Sequence, residues 1–148
     1  MIDFVIGIGN TLRRDDGIAA RLIAELPSVP NVAALAVHQL TPELAIRLCD
    51  ASRVLFVDAH YTAREPSLTP LSPEDDPDVA GHTLSPAALL GLTKVLCDHF
   101  PQGWLLSIPG YDFGFGEELS DEASAQLPAA IGMAVRWMEE AAKTRRYG

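Results

Sequence analysis

Short apolar runs alternate along this chain with longer segments in which apolar residues recur every three or four positions. Runs at 4–8, 32–37 and 54–57 are each followed by such a segment, and a further run at 104–108 precedes the last one. This alternation is typical of a parallel sheet covered by helices. It predicts an α/β fold in a single domain, residues 1–148.

Capping residues and prolines mark the predicted helix boundaries. Pro27 ends the first helix, and Thr41 and Ser85 are the predicted caps of the second and third, each followed by a proline. Pro128 is predicted to start or kink the last helix. The proline-rich stretch 64–81 is predicted to be mainly an ordered loop, with an edge strand near 68–71.

Composition and charge narrow the choice of partners. Hydrophobic residues make up 48% of the 148 positions and charged residues 21%, as in ordinary globular chains. A formal net charge of −9 argues against nucleic acid and anionic membranes as partners, because both would repel the protein at long range. Proteins and small molecules remain as the expected partners.

Two further features bear on the compartment. The apolar N-terminal run is interrupted by Asp3 and Gly7 and lacks a basic start, and no stretch approaches a membrane span. Cys49 and Cys97 have no Cys-x-x-Cys spacing, so we predict two buried thiols rather than a metal knuckle or redox pair. These features predict a cytoplasmic protein.

Candidate catalytic and metal-binding residues follow the predicted strands. Asp15 and Asp16 follow the first strand, His38 the second and Asp58 the third. The carboxyl ends of parallel strands share one edge of an open α/β sheet, and functional groups collect there. First and third strands are usually neighbours, so Asp16 and Asp58 are expected to face each other. Two such carboxylates repel unless a cation or a shared proton lies between them.

An imidazole is the natural third group of this site. His82 precedes the third predicted helix, and its loop can carry the ring back to the sheet edge; His60, two residues beyond Asp58, is a rival. Two carboxylates and one imidazole suit zinc, nickel or manganese. Three protein ligands leave open positions, which indicates chemistry or recognition rather than a structural metal site.

Several common site classes are excluded by particular residues. The third glycine of a dinucleotide-binding turn is replaced by Leu12, and the chain has no Gly-Lys-Ser/Thr phosphate loop, no G-x-S-x-G elbow and no H-E-x-x-H. A receiver domain of two-component signalling stays open, because it also has an acid pair and a later phospho-accepting aspartate. Against it, Ile108 and Pro109 stand where a receiver has a lysine.

Three segments together resemble a known family. They are "GIGNTLRRDDGIAARLIAEL", "VLFVDAH" and "GHTLSPAALLGL". Their order is similar to that of the nickel-iron hydrogenase maturation endopeptidases, which remove a C-terminal peptide from the hydrogenase large subunit after nickel insertion. The resemblance spans nearly the whole chain, and it assigns the family's catalytic and metal-contacting positions to Asp16, Asp58 and His82.

The resemblance carries expectations about fold and partners. It implies a three-layer α/β/α sandwich, phosphorylase/hydrolase-like, with a small, mostly parallel mixed sheet of about five strands. It implies that nickel arrives with the precursor of the large subunit as the recognition signal, so no permanently bound cofactor is expected. A metal-dependent binding protein that does not cleave is the alternative. His38 and Gln39 replace the family's usual turn after the second strand, a departure that bears on substrate choice.

Supporting roles follow for nearby residues. Asp15 is expected either to orient Asp16 or, preferably, to cap the first helix. Gly7 and Gly9 are expected to allow a tight turn beside the site, and Asn10 to hold the loop through its side-chain amide. The aromatic residues of the loop after the last strand either line a groove for an extended peptide or pack into the loop's own core: Tyr111, Phe113 and Phe115.

Overall fold

A computed structural model describes residues 2–78 and 84–147, with side chains through residue 140. Five strands form one sheet in the order β2-β1-β3-β5-β4. The strands are β1 (Ile2–Ile8), β2 (Val32–Val37), β3 (Ala51–His60), β4 (Ser67–Leu71) and β5 (Gln102–Pro109). β1, β2, β3 and β5 are parallel, and β4 pairs antiparallel with β5 at the edge. The predicted mixed sheet of five strands is confirmed.

The helices cover both faces of this sheet. They are α1 (Ile18–Glu25), α2 (Glu43–Leu48), α3 (Pro86–Cys97) and α4 (Asp121–Tyr147). Because side chains alternate along a strand, β1 sends Val5 into a core with α1 and α4, and Phe4 and Ile6 into a second core with α2 and α3. The expected three-layer α/β/α arrangement is therefore confirmed. None of the described helices is long and apolar enough to cross a membrane.

Helix starts are partly as predicted. Ser85 caps α3, with its hydroxyl oxygen accepting a hydrogen bond from the amide of Ala88 at 3.0 Å. Thr41 does not cap α2, because Pro42 occupies the cap position and no side chain accepts a cap hydrogen bond there. Pro128 lies inside α4, which begins at Asp121. The hydroxyl of Ser120, which accepts from the amide of Ala123 at 3.2 Å, supplies the start signal in place of Pro128.

The two cysteines differ from the prediction. Cys49 directly follows α2 and Cys97 ends α3, and the structure joins them in a disulfide with their Cα atoms 5.8 Å apart. The expectation of two separate buried thiols is therefore wrong. The packing of α2 against α3 brings their C-terminal ends together, and 48 residues of sequence separation conceal this proximity.

The strand order also bears on the receiver alternative. The doubly wound order of such domains runs 2-1-3-4-5 in sequence numbering. Here β5 lies next to β3, and the antiparallel β4 forms the edge. The topology therefore does not support a receiver domain.

Candidate functional site

The carboxyl ends of β1 and β3 lie side by side and carry two acidic residues. Ile8, the last residue of β1, pairs in register with Asp58 near the end of β3. The chain returns Asp16 to the same edge through a short 3-10 helix, Arg14–Gly17. The charge of Asp16 acts electrostatically on Asp58. The prediction that these acids face each other is therefore supported by the strand register and by their electrostatic coupling.

Asp58 titrates abnormally. Burial raises the pKa of its carboxyl, and the neighbouring charge of Asp16 raises it further, to about 6; a backbone hydrogen bond from Ala59 opposes the shift. Desolvation and a like charge are the ordinary causes of such a shift. Near neutral pH, this carboxyl can both hold and release a proton.

The turn between β1 and Asp16 depends on Gly9. Its φ is +151°, and a Cβ at this position would lie 1.9 Å from the carbonyl oxygen of Asp16. The amide of Asn10 donates to Oδ2 of Asp16 at 2.7 Å, and the side-chain oxygen of Asn10 accepts from the amide of Leu12 at 2.9 Å. The predicted roles of Gly9 and Asn10 are confirmed.

Gly7 has a different role from the one predicted. It lies within β1, and a Cβ there would approach Cγ1 of Ile23 to 2.8 Å and the carbonyl oxygen of Ala19 to 3.0 Å. The prediction that Gly7 serves a turn is wrong. Its missing side chain lets α1 pack closely on the strand.

We expect Gly9→Ala to destabilise the protein and displace Asp16. The added methyl group meets backbone rather than a movable side chain, so the cost is about 2 kcal/mol, or a fall in Tm of roughly 4–8 °C. A thermal melt measures it. The matched control is Gly132→Ala in α4, where a Cβ meets nothing within 4 Å; there alanine stabilises by about 0.5–1 kcal/mol. Equal melting shifts in both variants would contradict this role of Gly9.

A cleft of about 460 Å³ opens beside the two acids. Arg13, His38 and Gln39 line it with Asp16 and Asp58, and the start of α3 closes one side. Arg13 is a charged cleft residue that the sequence analysis did not single out, and its signal in the sequence was its place three positions before Asp16. His38 and Gln39, the departure from the family's usual turn, therefore border the candidate site.

The third predicted group falls outside the described residues. His82 lies in the segment 79–83, so its place beside the two acids stays a prediction. Across residues 2–78 and 84–140, no three His, Cys, Asp or Glu side chains come close enough together to hold a metal ion. The rival His60 is exposed at the end of β3, and its Nδ1 lies 2.8 Å from the hydroxyl of Thr62. His60 does not line the cleft.

Asp15 does not cap the first helix, which was the preferred of its two predicted roles. No side chain caps α1, and Asp15 is fully buried. Its Oδ2 accepts hydrogen bonds from the amides of Tyr111 and Asp112, both at 2.8 Å, and from the hydroxyl of Ser120 at 2.7 Å. Its Oδ1 accepts from the amide of Ser120 at 2.7 Å. Asp15 thus ties the loop after β5 to the loop that carries Asp16.

The electrostatics of Asp15 reflect this anchoring. Burial by itself would raise the pKa of the Asp15 carboxyl, but the hydrogen bonds from Ser120, Tyr111 and Asp112 outweigh burial and hold the pKa below its ordinary value. A carboxylate that accepts several backbone hydrogen bonds stays ionised. Of the two adjacent aspartates, Asp15 therefore stays ionised and anchors the loop after β5, whereas Asp16 faces the cleft.

The aromatic residues of the loop after β5 differ in their exposure. Phe115 is 95% exposed and Tyr111 is 48% exposed. Phe113 is partly buried, and it lies against Gly110, where a Cβ would come within 2.5 Å of its ring. Packing into the loop's own core, one of the two predicted roles, is thus wrong for Phe115.

A scan against protein-family models finds no match, and a search of curated protein sequences finds none. Solved structures do match. The hydrogenase maturating endopeptidase HybD from E. coli superposes with a TM-score of 0.75 at 20% identity, covering 95% of this chain and 94% of that chain.

Two structures from Thermococcus kodakarensis are also similar. The [NiFe] hydrogenase maturation protease HybD from Thermococcus kodakarensis gives a TM-score of 0.69 at 21% identity, over 93% of this chain and 99% of that one. The [NiFe] hydrogenase maturation protease HycI from the same species gives 0.68 at 19% identity, over 93% and 92%. This chain has the fold of the hydrogenase maturation proteases.

Proposed function

We propose that this protein is an endopeptidase that removes a C-terminal peptide from the nickel-loaded precursor of a nickel-iron hydrogenase large subunit. The observation that carries the proposal is the pair Asp16 and Asp58 at the edge of a cleft, within a fold shared by proteins named hydrogenase maturation proteases. The raised pKa of Asp58 supports it. Burial raises this pKa most and the charge of Asp16 raises it further, and a divalent cation between the two carboxylates would relieve their repulsion.

The nickel belongs to the substrate in this proposal. Asp16, Asp58 and His82 engage it, so the metal is the signal that the precursor is ready to be cut. Two carboxylates and one imidazole are acceptable nickel ligands. Without a cage of cysteines they hold the ion weakly alone, so ligands of the precursor complete the coordination.

The chemistry is hydrolysis of one peptide bond. The oxygen of water bonds to the carbonyl carbon as one of its O–H bonds breaks, the C–N bond breaks, and the proton released by water is transferred to the leaving amine. The products are a new C-terminal carboxyl group and a new N-terminal amine. Nickel carried by the substrate supplies a Lewis acid beside the scissile bond. The chain's own residues position that bond in the cleft, and Asp58 can exchange a proton near neutral pH.

Incubation with a precursor tests the function. We expect the purified protein to shorten a nickel-loaded large-subunit precursor from the same genome by one short C-terminal peptide, seen by mass spectrometry, and to leave nickel-free precursor intact. An unchanged mass, with nickel loading verified, contradicts the proposal. Nickel-dependent association without cleavage identifies a binding protein instead, the alternative function.

Metal soaking tests the predicted ligands. We expect a crystal soaked with cadmium to hold one ion in contact with Asp16, Asp58 and His82. Binding weakens as the pH falls below about 6, because Asp58 then takes up a proton and a carboxylic acid is a poor ligand. An ion bound elsewhere, with both acids untouched, contradicts this ligand set.

A further inference from the structure

The loops on either side of the cleft are joined into one unit by backbone hydrogen bonds. The amide of Gly116 donates to the carbonyl of Leu12 at 2.9 Å, and the amide of Arg14 donates to the carbonyl of Gly116 at 2.8 Å. These bonds make a parallel bridge between Arg13 and Gly116. Phe115 directly precedes Gly116, so the hydrogen bond from Gly116 to Leu12 also brings the backbone of Phe115 close to that of Leu12.

Both of these paired residues are large, apolar and exposed. Leu12 is 57% exposed and Phe115 is 95% exposed. Single apolar residues on a surface need no explanation, whereas two exposed apolar residues on joined loops next to a cleft are a candidate interaction surface. We call Leu12 and Phe115 together the apolar tip.

The two loops that carry the apolar tip are fixed by hydrogen bonds and an ion pair. Asp15 fixes the loop after β5 through the amides of Tyr111 and Asp112. Arg14 adds an ion pair with Asp112, and its Nε donates to the carbonyl of Glu118 at 3.0 Å. The exposure of the tip is therefore a property of an ordered loop pair, since both loops are tied to buried structure.

The tip is continuous with the candidate site. Arg13 follows Leu12 directly and lines the cleft with Asp16 and Asp58. Its Nε donates to the carbonyl of Phe113 at 3.2 Å, which connects the cleft wall to the loop that carries Phe115. A polypeptide with one segment in the cleft can place its neighbouring surface on the tip.

We propose that the apolar tip is a docking surface for the body of the protein substrate, next to the segment that is cut. This inference rests on the proposed function. The occupant is a folded polypeptide with an apolar patch rimmed by lysine and arginine, because exposed Glu117 and Glu118 follow Phe115 and the formal net charge is −9. The same charge disfavours an anionic lipid surface.

The test measures cleavage of nickel-loaded precursor by the wild-type protein and by a double variant that carries both Leu12→Ser and Phe115→Ser. Contacts remote from the reacting bond act equally in the ground and transition states, so KM rises and kcat stays. We expect KM to rise by about tenfold or more, as for a central interface contact. The single variant Phe115→Leu, which keeps an apolar side chain, should have a KM near the wild-type value.

Val95→Ser is the matched control. Val95 is 70% exposed near the far end of α3, away from the start of α3 that borders the cleft. It should leave KM unchanged, and all variants should melt near the wild-type temperature because the substituted side chains are exposed.

The outcomes separate the two proposals. If the wild-type protein cuts the precursor and the double variant keeps its KM, the docking surface is wrong and the function stands. If the wild-type protein binds the precursor without cutting it, the dissociation constant replaces KM as the test of the tip. If it neither binds nor cuts, both proposals are wrong.

Discussion

Replacing Asp58 with asparagine is expected to abolish cleavage of the precursor and, at the same time, to make the protein more stable. Loss of a carboxylate that binds the substrate's nickel or moves a proton should lower kcat/KM by about 100-fold or more. Stability changes in the opposite direction, because burial and the charge of Asp16 make ionised Asp58 unfavourable in the folded state. A neutral amide of the same shape removes that penalty.

The stability gain depends on pH with a definite sign. The pKa of Asp58 rises from 3.8 to about 6 on folding, so the folded state holds a proton that the unfolded state releases within this window. Wild-type stability therefore falls, relative to the variant, as pH rises from about 4 to about 6. Since the side chain is only partly buried, we expect about 1–2 kcal/mol at neutral pH, or a Tm higher by roughly 3–6 °C.

Thermal melts at about pH 4 and about pH 7.5 measure this difference. Asp50→Asn is the matched control, because Asp50 is exposed just before β3, at the opposite edge of the sheet. It should change neither cleavage nor the pH dependence of Tm. A lower Tm for Asp58→Asn at neutral pH would show that the carboxylate stabilises the fold and would contradict the electrostatic account.

Replacing Asp15 with asparagine is expected to have the largest cost in stability. The two oxygens of Asp15 accept four hydrogen bonds, and every partner is a donor. Asparagine puts an NH2 group where one oxygen stood, so a donor meets a donor in a buried site. We expect a loss of about 3 kcal/mol, or roughly 6–12 °C in Tm.

The acid limb of the stability profile tests the same anchor. The folded pKa of Asp15 is lower than its ordinary value of 3.8. Its contribution is therefore present above about pH 4 and is lost as the pH falls through the folded pKa. The melting difference between wild type and Asp15→Asn should shrink in acid.

Asp75→Asn, at an exposed aspartate, is the control for the Asp15 variant and should leave Tm unchanged. The Asp15 variant should also cut poorly, because Asp16 follows directly in the chain. A variant that melts and cuts like the wild type would show that the hydrogen bonds to the loop after β5 carry little energy.

Local pattern was enough to predict most of the fold. The apolar runs of β1, β3 and β5 were recognisable because these strands carry buried residues, and β2 was recognisable by its apolar run although its residues are at most half-buried. Parallel pairing of β1 with β3 follows from common α/β topology. From this the proximity of Asp16 and Asp58 could be predicted before any coordinates. β4 was the weakest strand prediction, because it is short and contains Pro70.

Contacts between distant segments could not be predicted in the same way. Adjacent aspartates look alike in sequence, yet Asp15 is buried by partners 96 to 105 residues away, while Asp16 faces the cleft. The Cys49–Cys97 disulfide joins two helix ends, and the Arg13–Gly116 bridge joins two loops. Both link segments that are far apart in the sequence. No local spacing encodes these contacts, because they exist only once the layers have packed.

The proline in β4 has a consequence for self-association. β4 ends one side of the sheet, and an exposed sheet edge is a template on which further chains can add. Pro70, the fourth residue of this five-residue strand, lacks an amide hydrogen, so it cannot donate a ladder hydrogen bond to an incoming strand. The sheet is thereby protected against growth into aggregates from this side.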